Sequence, residues 1–221
     1  ARRFVIATGA RSVAPSVPGL EAITCLTDAH LATATRRPGR LIVLGGGAAG
    51  VAIAQAMVRL GSAVALIDTS DLLGGEDPEA VAILRRALLR DGVVLHERAQ
   101  ILRAQSVRGG VRLALAAGEG GAEQMVEGTH LLLATNRVPA IETLDVELAG
   151  IAVEAGGIRV DRGLRTSNRR VYAIGDCVGG ALGARRGGHV AEEQARLVLR
   201  NALFRQPSRF DAGLVPRLTQ T

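Results

Sequence analysis

The sequence contains no lysine and no tryptophan, and its 221 residues include one tyrosine and three phenylalanines. All basic side chains apart from the histidines are therefore arginines, and they give the chain a formal net charge of +6. A basic chain can bind nucleic acid, but these arginines are scattered singly or in pairs, and few aromatic rings are present on which bases could stack. This composition argues against nucleic acid as a partner.

Cysteine and long apolar runs are also scarce. Cys25 and Cys177 stand far apart and form neither a C-x-x-C pair nor a disulfide framework, which favours a reduced, cytoplasmic setting. Arginines and aspartates interrupt every apolar stretch well short of the roughly 20 residues that span a membrane, so no membrane partner is expected. The chain begins at Ala1, and its first apolar run is too short for a signal peptide. We therefore expect the interior of a longer protein.

Strand and helix patterns alternate between residues 40 and 135. Apolar runs at 41–46, 63–68 and 93–97 predict strands, and the first two are each followed by a helical pattern. In the second helix Asp77 fits the N-cap, Pro78 the first helical position and Gly92 the C-cap. Three shorter strands with glycine-rich turns predict an antiparallel meander. The expected class is α/β, with a mainly parallel sheet, helices on both faces and a small antiparallel meander.

The run LIVLGGGAAG contains Gly45, Gly47 and Gly50 in a G-x-G-x-x-G pattern between a strand and a helix. Such glycines permit a tight turn, close approach of the backbone to a pyrophosphate, and close helix–strand packing. Asp68 ends the next strand, where an acid would accept hydrogen bonds from the adenosine ribose. The pattern favours a dinucleotide site over its alternative, a glycine-rich turn in an unrelated α/β domain.

Asp68 also bears on the choice of cofactor. A carboxylate at this position repels a 2′-phosphate, and the following Thr-Ser-Asp contains no arginine to receive one, which favours NAD over NADP. The alternative is that Asp68 only caps the turn.

A weak internal repeat links FVIATGAR at 4–11 with LLLATNR at 131–137, each an apolar strand ending in Ala-Thr and a turn residue. Two copies indicate two related nucleotide-binding units. Near the carboxyl end, Asp176 follows an apolar strand in YAIGDC. By itself this residue is as compatible with an ordinary turn as with a ligand contact.

Four motifs follow one another along the chain: FVIATGA, GGGAAG with the later Ile-Asp, HLLLATNR, and VYAIGDC with the later HVA. In this order they resemble the flavoprotein pyridine nucleotide–disulfide oxidoreductases of the mercuric reductase and dihydrolipoamide dehydrogenase type. The resemblance implies a Rossmann-like FAD/NAD(P)-binding fold with FAD and NAD as cofactors. It assigns the nicotinamide cofactor to the glycine motif and Asp68, and it places Asn136 close to the same cofactor. It further implies that Asp176 contacts the ribityl chain of FAD and that Thr8, Gly9 and His189 lie near the flavin nucleotide. For His189, an exposed histidine at a helix start is an equal alternative.

Two positions depart from the family pattern. Ala52 stands where the family usually carries a glutamate near the nicotinamide, and Asn136 replaces a glycine that allows close backbone approach. The resemblance still implies a FAD-dependent NAD(P)H oxidoreductase, with hydride transfer between NADH and flavin. The alternative is a non-catalytic NAD-binding module without stable FAD. We expect no catalytic acid, base or nucleophile and no metal site in this chain.

The expected domain organisation follows the same resemblance. Residues 1–20 and 139–212 would belong to an FAD-binding domain, and residues 21–138 to an NAD-binding domain. Residues 213–221 would begin a dimerisation domain through which the parent protein forms a homodimer. The redox cysteine pair of the family would lie before Ala1.

Overall fold

A computed structural model describes residues 1–221 except 117–122, 136 and 155. In chain order its helices and strands are β1 (Phe4–Ile6), β2 (Ala10–Ser12), α1 (Asp28–Ala32), β3 (Arg40–Leu44), α2 (Ala48–Arg59), β4 (Ala63–Ile67), α3 (Pro78–Asp91), β5 (Val94–His96), β6 (Ile101–Val107), β7 (Gly110–Leu115), β8 (Gln124–Gly128), β9 (His130–Leu133), β10 (Arg137–Pro139), β11 (Val153–Glu154), β12 (Gly157–Ile158), β13 (Val171–Ala173) and α4 (Gly188–Ala202).

The chain divides into two compact units. Unit 1 comprises Ala1–Arg11 and Arg137–Arg217, and unit 2 comprises Ser12–Asn136 and Leu218–Thr221. The divisions fall nine residues before the expected boundary at 20/21 and two before that at 138/139. Residues 213–217, expected to begin a further domain, belong to unit 1.

Unit 2 is built on a four-stranded parallel sheet in the order β5-β4-β3-β9. All four residues of β3 from Leu41 to Leu44 are buried, because both faces of the sheet are covered. Alternate residues point to opposite faces, so Leu41 and Val43 pack with residues of α2 and α3, whereas Ile42 and Leu44 pack with the meander. This arrangement confirms the α/β class.

The second face of the sheet is covered by the antiparallel meander β6-β7-β8. Val111, Leu113 and Leu115 of β7 are buried against Ile42 and Leu44 of β3. The meander predicted from its glycine-rich turns is therefore confirmed, and within unit 2 it lies over the face that the helices leave uncovered.

The limits of α3 follow from local chemistry. The Asp77 carboxylate accepts hydrogen bonds from the backbone N–H groups of Glu79 and Ala80, and Pro78 takes the first helical position. Gly92 ends the helix with a φ of 98°, a left-handed conformation that glycine adopts without a Cβ clash. The predicted caps are confirmed.

Unit 1 brings together the two ends of the sequence. Strand β1 pairs in parallel with β13, with Phe4 opposite Val171 and Ile6 opposite Ala173. Tyr172 is buried on one face of β13 with Val190 and Val198 of α4, while Val171 and Ala173 face a second apolar cluster. Strand β2 pairs with β10, and β11 pairs with β12.

Candidate functional site

The three motif glycines of unit 2 occupy different environments at the carboxyl end of β3. Gly45 has a φ of 112°, and a Cβ there would lie 2.6 Å from the carbonyl oxygen of Ala134. A Cβ on Gly50 would overlap the carbonyl oxygen of Gly45, so this glycine permits the close packing of α2 on the turn. Among the residues that the structure describes, no atom would lie within 4 Å of a Cβ on Gly47. Gly47 is therefore not required by the fold, and its open side is available to a ligand.

Asp68 follows β4, which pairs with β3, and its carboxylate joins the two strand ends. One oxygen accepts a hydrogen bond from the backbone N–H of Gly46. The other accepts hydrogen bonds from the backbone N–H and the hydroxyl of Ser70, at 2.7 and 2.8 Å. Both sequence interpretations of Asp68 thus have support in the geometry, because the residue caps its own turn and also lies beside the glycines.

A cleft of about 640 Å³ lies over these residues. Its lining includes Gly45, Gly47 and Asp68, together with Thr135 after β9 and Arg98 after β5. A ligand cleft at the carboxyl ends of parallel strands, beside a glycine turn that opens a helix, is the usual position of a nucleotide site in α/β folds. The helix α2 begins at this turn without a side-chain cap, and the first N–H groups of a helix have no acceptor within the helix.

Arg98 is a lining residue that the sequence analysis missed. Its backbone N–H donates to the carbonyl of Ser70, and its side-chain Nε donates to the Asp71 carboxylate at 2.7 Å. The bonded Asp71 carboxylate raises the pKa of the Arg98 guanidinium. The signal in the sequence was an arginine directly after the third strand, a position that reaches the same edge of a parallel sheet as Asp68.

Hydrogen bonds to the Glu97 carboxylate support the loop that follows Asp68. Glu97 accepts a hydrogen bond from the backbone N–H of Leu72 at 2.8 Å and two from the Arg85 guanidinium at 2.7 and 2.8 Å. The Arg85 hydrogen bonds hold the pKa of the Glu97 carboxyl below its usual value. Burial lowers the pKa of the neighbouring His96 imidazole. The loop from Thr69 to Leu72 is thereby fixed along the cleft.

In unit 1, a second group of predicted residues meets at one sheet edge. Thr8 and Gly9 follow β1, and Gly175 and Asp176 follow β13, so the parallel pairing places both turns at the same end. Burial raises the pKa of the Cys177 thiol, and hydrogen bonds from Thr8 and Gly9 oppose that rise, which places these two segments in contact.

The turn around Asp176 is held by several hydrogen bonds. Asp176 accepts one from the backbone N–H of Gly187 at 3.1 Å, and its second oxygen lies 3.8 Å from Nε of Arg137. The buried amide oxygen of Gln194 accepts the backbone N–H of Gly175 at 2.6 Å. The hydrogen bond of His189 is made elsewhere, because its Nε2 donates to the carbonyl of Pro216 at 2.9 Å.

Asn136 and Ala52 are the two predicted positions at which the chain departs from the family pattern. Asn136 lies outside the described residues. Ala52 lies on α2 and is half-buried. Across the described part of the chain, no group of three or more His, Cys, Asp or Glu side chains could hold a metal ion. In the same residues no helix is both long and apolar enough to cross a membrane.

Comparison with known proteins adds close relatives. A family model described as pyridine nucleotide-disulphide oxidoreductase matches residues 1–196. Mercuric reductase from Bacillus cereus is 34% identical over all of this chain and 34% of its own length. Mercuric reductase from Streptomyces lividans is 35% identical, over 100% and 46%. Dihydrolipoyl dehydrogenase from Thermus scotoductus is 36% identical, over 92% and 45%.

Solved structures agree with these matches. The HOCl-induced flavoprotein disulfide reductase RclA from Escherichia coli superposes with a TM-score of 0.79 at 27% identity, over 94% of this chain and 46% of its own. LpdA from Mycobacterium tuberculosis gives a TM-score of 0.78 at 28% identity, over 95% and 44%. The chain thus spans less than half the length of each of these relatives and neighbours. The resemblance based on the four motifs is confirmed, and the chain belongs to the pyridine nucleotide-disulphide oxidoreductase family.

Proposed function

We propose that unit 2 binds NADH and that this chain contributes to a FAD-dependent oxidoreductase in which hydride passes between NADH and flavin. The observation that carries the proposal is the open space at Gly47, directly beside the Asp68 carboxylate and within the 640 Å³ cleft. When bound, nicotinamide and flavin supply the redox chemistry, and the chain supplies binding and orientation.

The glycine turn fits a pyrophosphate. A ligand phosphate beside Gly47 would meet the N-terminal N–H groups of α2 and the positive end of the helix dipole, with no Cβ in the way. Gly45 and Gly50 keep the turn tight enough for this approach because larger residues there would collide with backbone.

Asp68 retains capacity for a ribose hydroxyl. A carboxylate offers about four lone-pair sites, two on each oxygen. Ser70 donates twice to one oxygen, whereas the other oxygen accepts the single N–H of Gly46. One acceptor position on that second oxygen remains for a hydroxyl of the adenosine ribose, and the negative charge disfavours a 2′-phosphate. We therefore propose NADH rather than NADPH.

In unit 1, we propose that Thr8, Gly9 and Asp176 contribute to a flavin site. Their support is the shared sheet edge formed by β1 and β13, together with Gly9, which has a left-handed φ of 67°. No atom of the described residues lies within 4 Å of a Cβ placed on Gly9. His189 and Asn136 remain predictions from the family resemblance. The division into FAD-binding and NAD-binding domains, the dimerisation domain from residue 213, a homodimeric parent and a cytoplasmic location are proposals on the same basis.

A second candidate is a binding module that holds NADH without stable FAD. Ala52 favours it, because the acid that the family usually carries near the nicotinamide is replaced by a methyl group. The two candidates differ in colour and turnover.

The test uses the purified full chain. We expect visible flavin absorbance, NADH oxidation with an artificial electron acceptor, and saturable NADH binding followed by nucleotide fluorescence. Colourless protein that still binds NADH would establish the second candidate, and protein that binds neither nucleotide would refute both. Tighter binding of NADPH than of NADH would overturn the assignment of Asp68.

A further inference from the structure

A second cleft, distinct from the one at the glycine turn, lies within unit 1 and has a volume of about 690 Å³. Five of its eleven lining residues are arginines, although arginine makes up only 27 of the 221 residues of the chain. The set that we call the arginine cleft consists of Arg3, Arg162, Arg165, Arg205 and Arg209, with Asp161 as its one acidic member.

The two walls of the arginine cleft are fastened to each other. Asn201, near the end of α4, donates from its amide nitrogen to the carbonyls of Gly163 and Ser208 at 3.2 and 3.0 Å, and its amide oxygen accepts the N–H of Ser208 at 2.7 Å. The backbone N–H of Phe210 donates to the carbonyl of Arg162 at 2.7 Å. The turn at 161–165 and the loop at 205–209 are thus held at a fixed separation.

Arg165, one of the lining arginines, is held in a fixed orientation by a neighbouring aromatic ring. The Arg165 guanidinium lies over the Tyr172 ring, 5.6 Å from its centre, and donates to the tyrosine hydroxyl at 3.3 Å. Its Nε is buried and has no hydrogen-bond partner among the described residues. The Tyr172 ring and hydroxyl fix the orientation of this guanidinium, which belongs to a residue of the cleft lining.

The positive charge of the cleft is not neutralised by the described residues. None of its five arginines lies within 4 Å of a carboxylate oxygen in the part of the chain that the structure describes. Asp161 uses one carboxylate oxygen to accept the backbone N–H groups of Gly163 and Arg165, which shapes the turn. Five arginines and one aspartate leave the lining with a charge of +4. The guanidinium groups repel one another, and a bound anion would reduce this repulsion.

We propose that the arginine cleft binds a small anion that carries two or three linked phosphates. Arginine forks pair bidentately with phosphate oxygens, and the charge of a di- or triphosphate approaches the +4 of the lining. The volume is that of a small-molecule site rather than of a polymer track. Among the described residues, no aromatic side chain lines the cleft. It therefore offers no ring on which a base could stack, and the recognised part is the phosphate chain.

The proposal does not depend on the proposed function, because the arginine cleft shares no residue with the cleft at the glycine turn. Either proposal could be wrong while the other holds, because NADH binding reports only on the cleft at the glycine turn.

The test is calorimetric titration of the full chain with inorganic tripolyphosphate and, separately, with ATP, each with and without saturating NADH. We expect saturable binding of tripolyphosphate that NADH does not displace, and an affinity for ATP within about threefold of it, since both present the same triphosphate chain. Tripolyphosphate represents a free source of the ligand, and ATP represents a nucleotide source.

Variants locate the binding. Arg205→Gln with Arg209→Gln removes two guanidiniums from one wall, and Arg162→Gln removes one from the other wall. We expect the double variant to weaken tripolyphosphate binding about tenfold and the single variant about threefold. The matched control is Arg36→Gln with Arg108→Gln, two exposed arginines of unit 2, which lowers the net charge equally. We expect less than a twofold change from it, with thermal midpoints confirming that all variants fold.

Three outcomes would overturn the proposal. Equal weakening by the control variant would reduce the effect to net charge. Displacement of tripolyphosphate by NADH would assign it to the cleft at the glycine turn. Binding of poly-glutamate in the absence of any tripolyphosphate binding would show that the cleft receives an acidic peptide instead.

Discussion

The Asp68 carboxylate accepts the backbone N–H of Gly46, and this bond ties the end of β4 to the glycine turn after β3. The acid is therefore part of the turn whose open side we propose to hold the cofactor. A change at Asp68 consequently alters both the charge of the cleft and the support of the glycine turn, and the two effects must be separated experimentally.

Replacement of Asp68 tests cofactor choice. We expect Asp68→Ala to weaken NADH binding about tenfold or more, because it removes a charged hydrogen-bond acceptor. Addition of Thr69→Arg should shift the preference toward NADPH by supplying a cation for the 2′-phosphate. Dissociation constants for both nucleotides provide the measurement. Ser70→Ala is the control, since it removes one hydroxyl bond of Asp68 and keeps the charge, so the preference should not change.

Three glycine-to-alanine variants test the cradle. Gly47→Ala should fold normally, because its Cβ meets no atom of the described part of the chain within 4 Å and its φ of −74° suits alanine. It should weaken NADH binding about tenfold, since the methyl group occupies the space proposed for the pyrophosphate. Gly39→Ala has an equally open Cβ position in a turn away from the cleft and should bind NADH as the wild type does.

Gly50→Ala completes this set from the opposite side. Its Cβ would overlap the Gly45 carbonyl oxygen, so we expect loss of several kcal/mol of stability and poor yield of folded protein. Thermal midpoints and nucleotide titrations distinguish the three cases. Unchanged NADH affinity in a folded Gly47→Ala protein would contradict the proposed cradle.

The pair of Glu97 and Arg85 predicts a pH dependence of stability. The folded state lowers the pKa of Glu97, so the pair stabilises the protein fully above the unfolded value, which is 4.5. The stabilisation is lost as the pH falls below 4.5 and through the folded pKa. We expect Glu97→Gln to lower the free energy of unfolding by about 1 kcal/mol at pH 7, because the pair is only partly buried.

The difference between wild type and Glu97→Gln should therefore shrink below pH 4.5 in denaturant titrations. Glu192→Gln is a matched control, because Glu192 pairs with Arg196 four residues later on an exposed helix face. The effect of Glu192→Gln on the free energy of unfolding should stay near zero both at pH 7 and below pH 4.5. A pH-independent difference for Glu97→Gln would rule out a stabilising carboxylate.

The N-cap of α3 gives a prediction about stability alone. Asp77→Ala leaves the N–H groups of Glu79 and Ala80 without their acceptor, and we expect a loss of about 1 kcal/mol in urea unfolding. Asp77→Ser restores an acceptor of suitable length and should recover most of this loss. Equal destabilisation by alanine and serine would show that the cap hydrogen bonds do not matter here.

The features that sequence could predict are those fixed within a few neighbouring residues. Asp77, Pro78 and Gly92 determine the ends of α3 by local hydrogen bonding and backbone conformation, and the structure places them as predicted. The family motifs were recognisable for the same reason. The placement of Arg98 and the bonding of Asp68 to Gly46 depend on β3, β4 and β5 lying side by side, which no local pattern specifies.

The arginine cleft illustrates the same limit more strongly. Its arginines are scattered singly or in pairs along the sequence, a distribution that gives no sign of a basic surface. Arg3 reaches the cleft because β1 pairs with β13, and Arg205 and Arg209 reach it because Asn201 fastens their loop to the 161–165 turn. Fold topology, rather than sequence clustering, concentrates the charge.

The pairing of Phe4 with Val171 also determines the order in which the protein can form during synthesis. Residues 12–136 are contiguous and make up unit 2 except for its last four residues, so this segment can collapse soon after it leaves the ribosome. Strand β1, although made before unit 2, must wait for β13. Prior folding of the intervening segment shortens the effective loop between the two strands and lowers the entropic cost of their closure. Unit 1 is therefore expected to fold after residues 12–136 of unit 2.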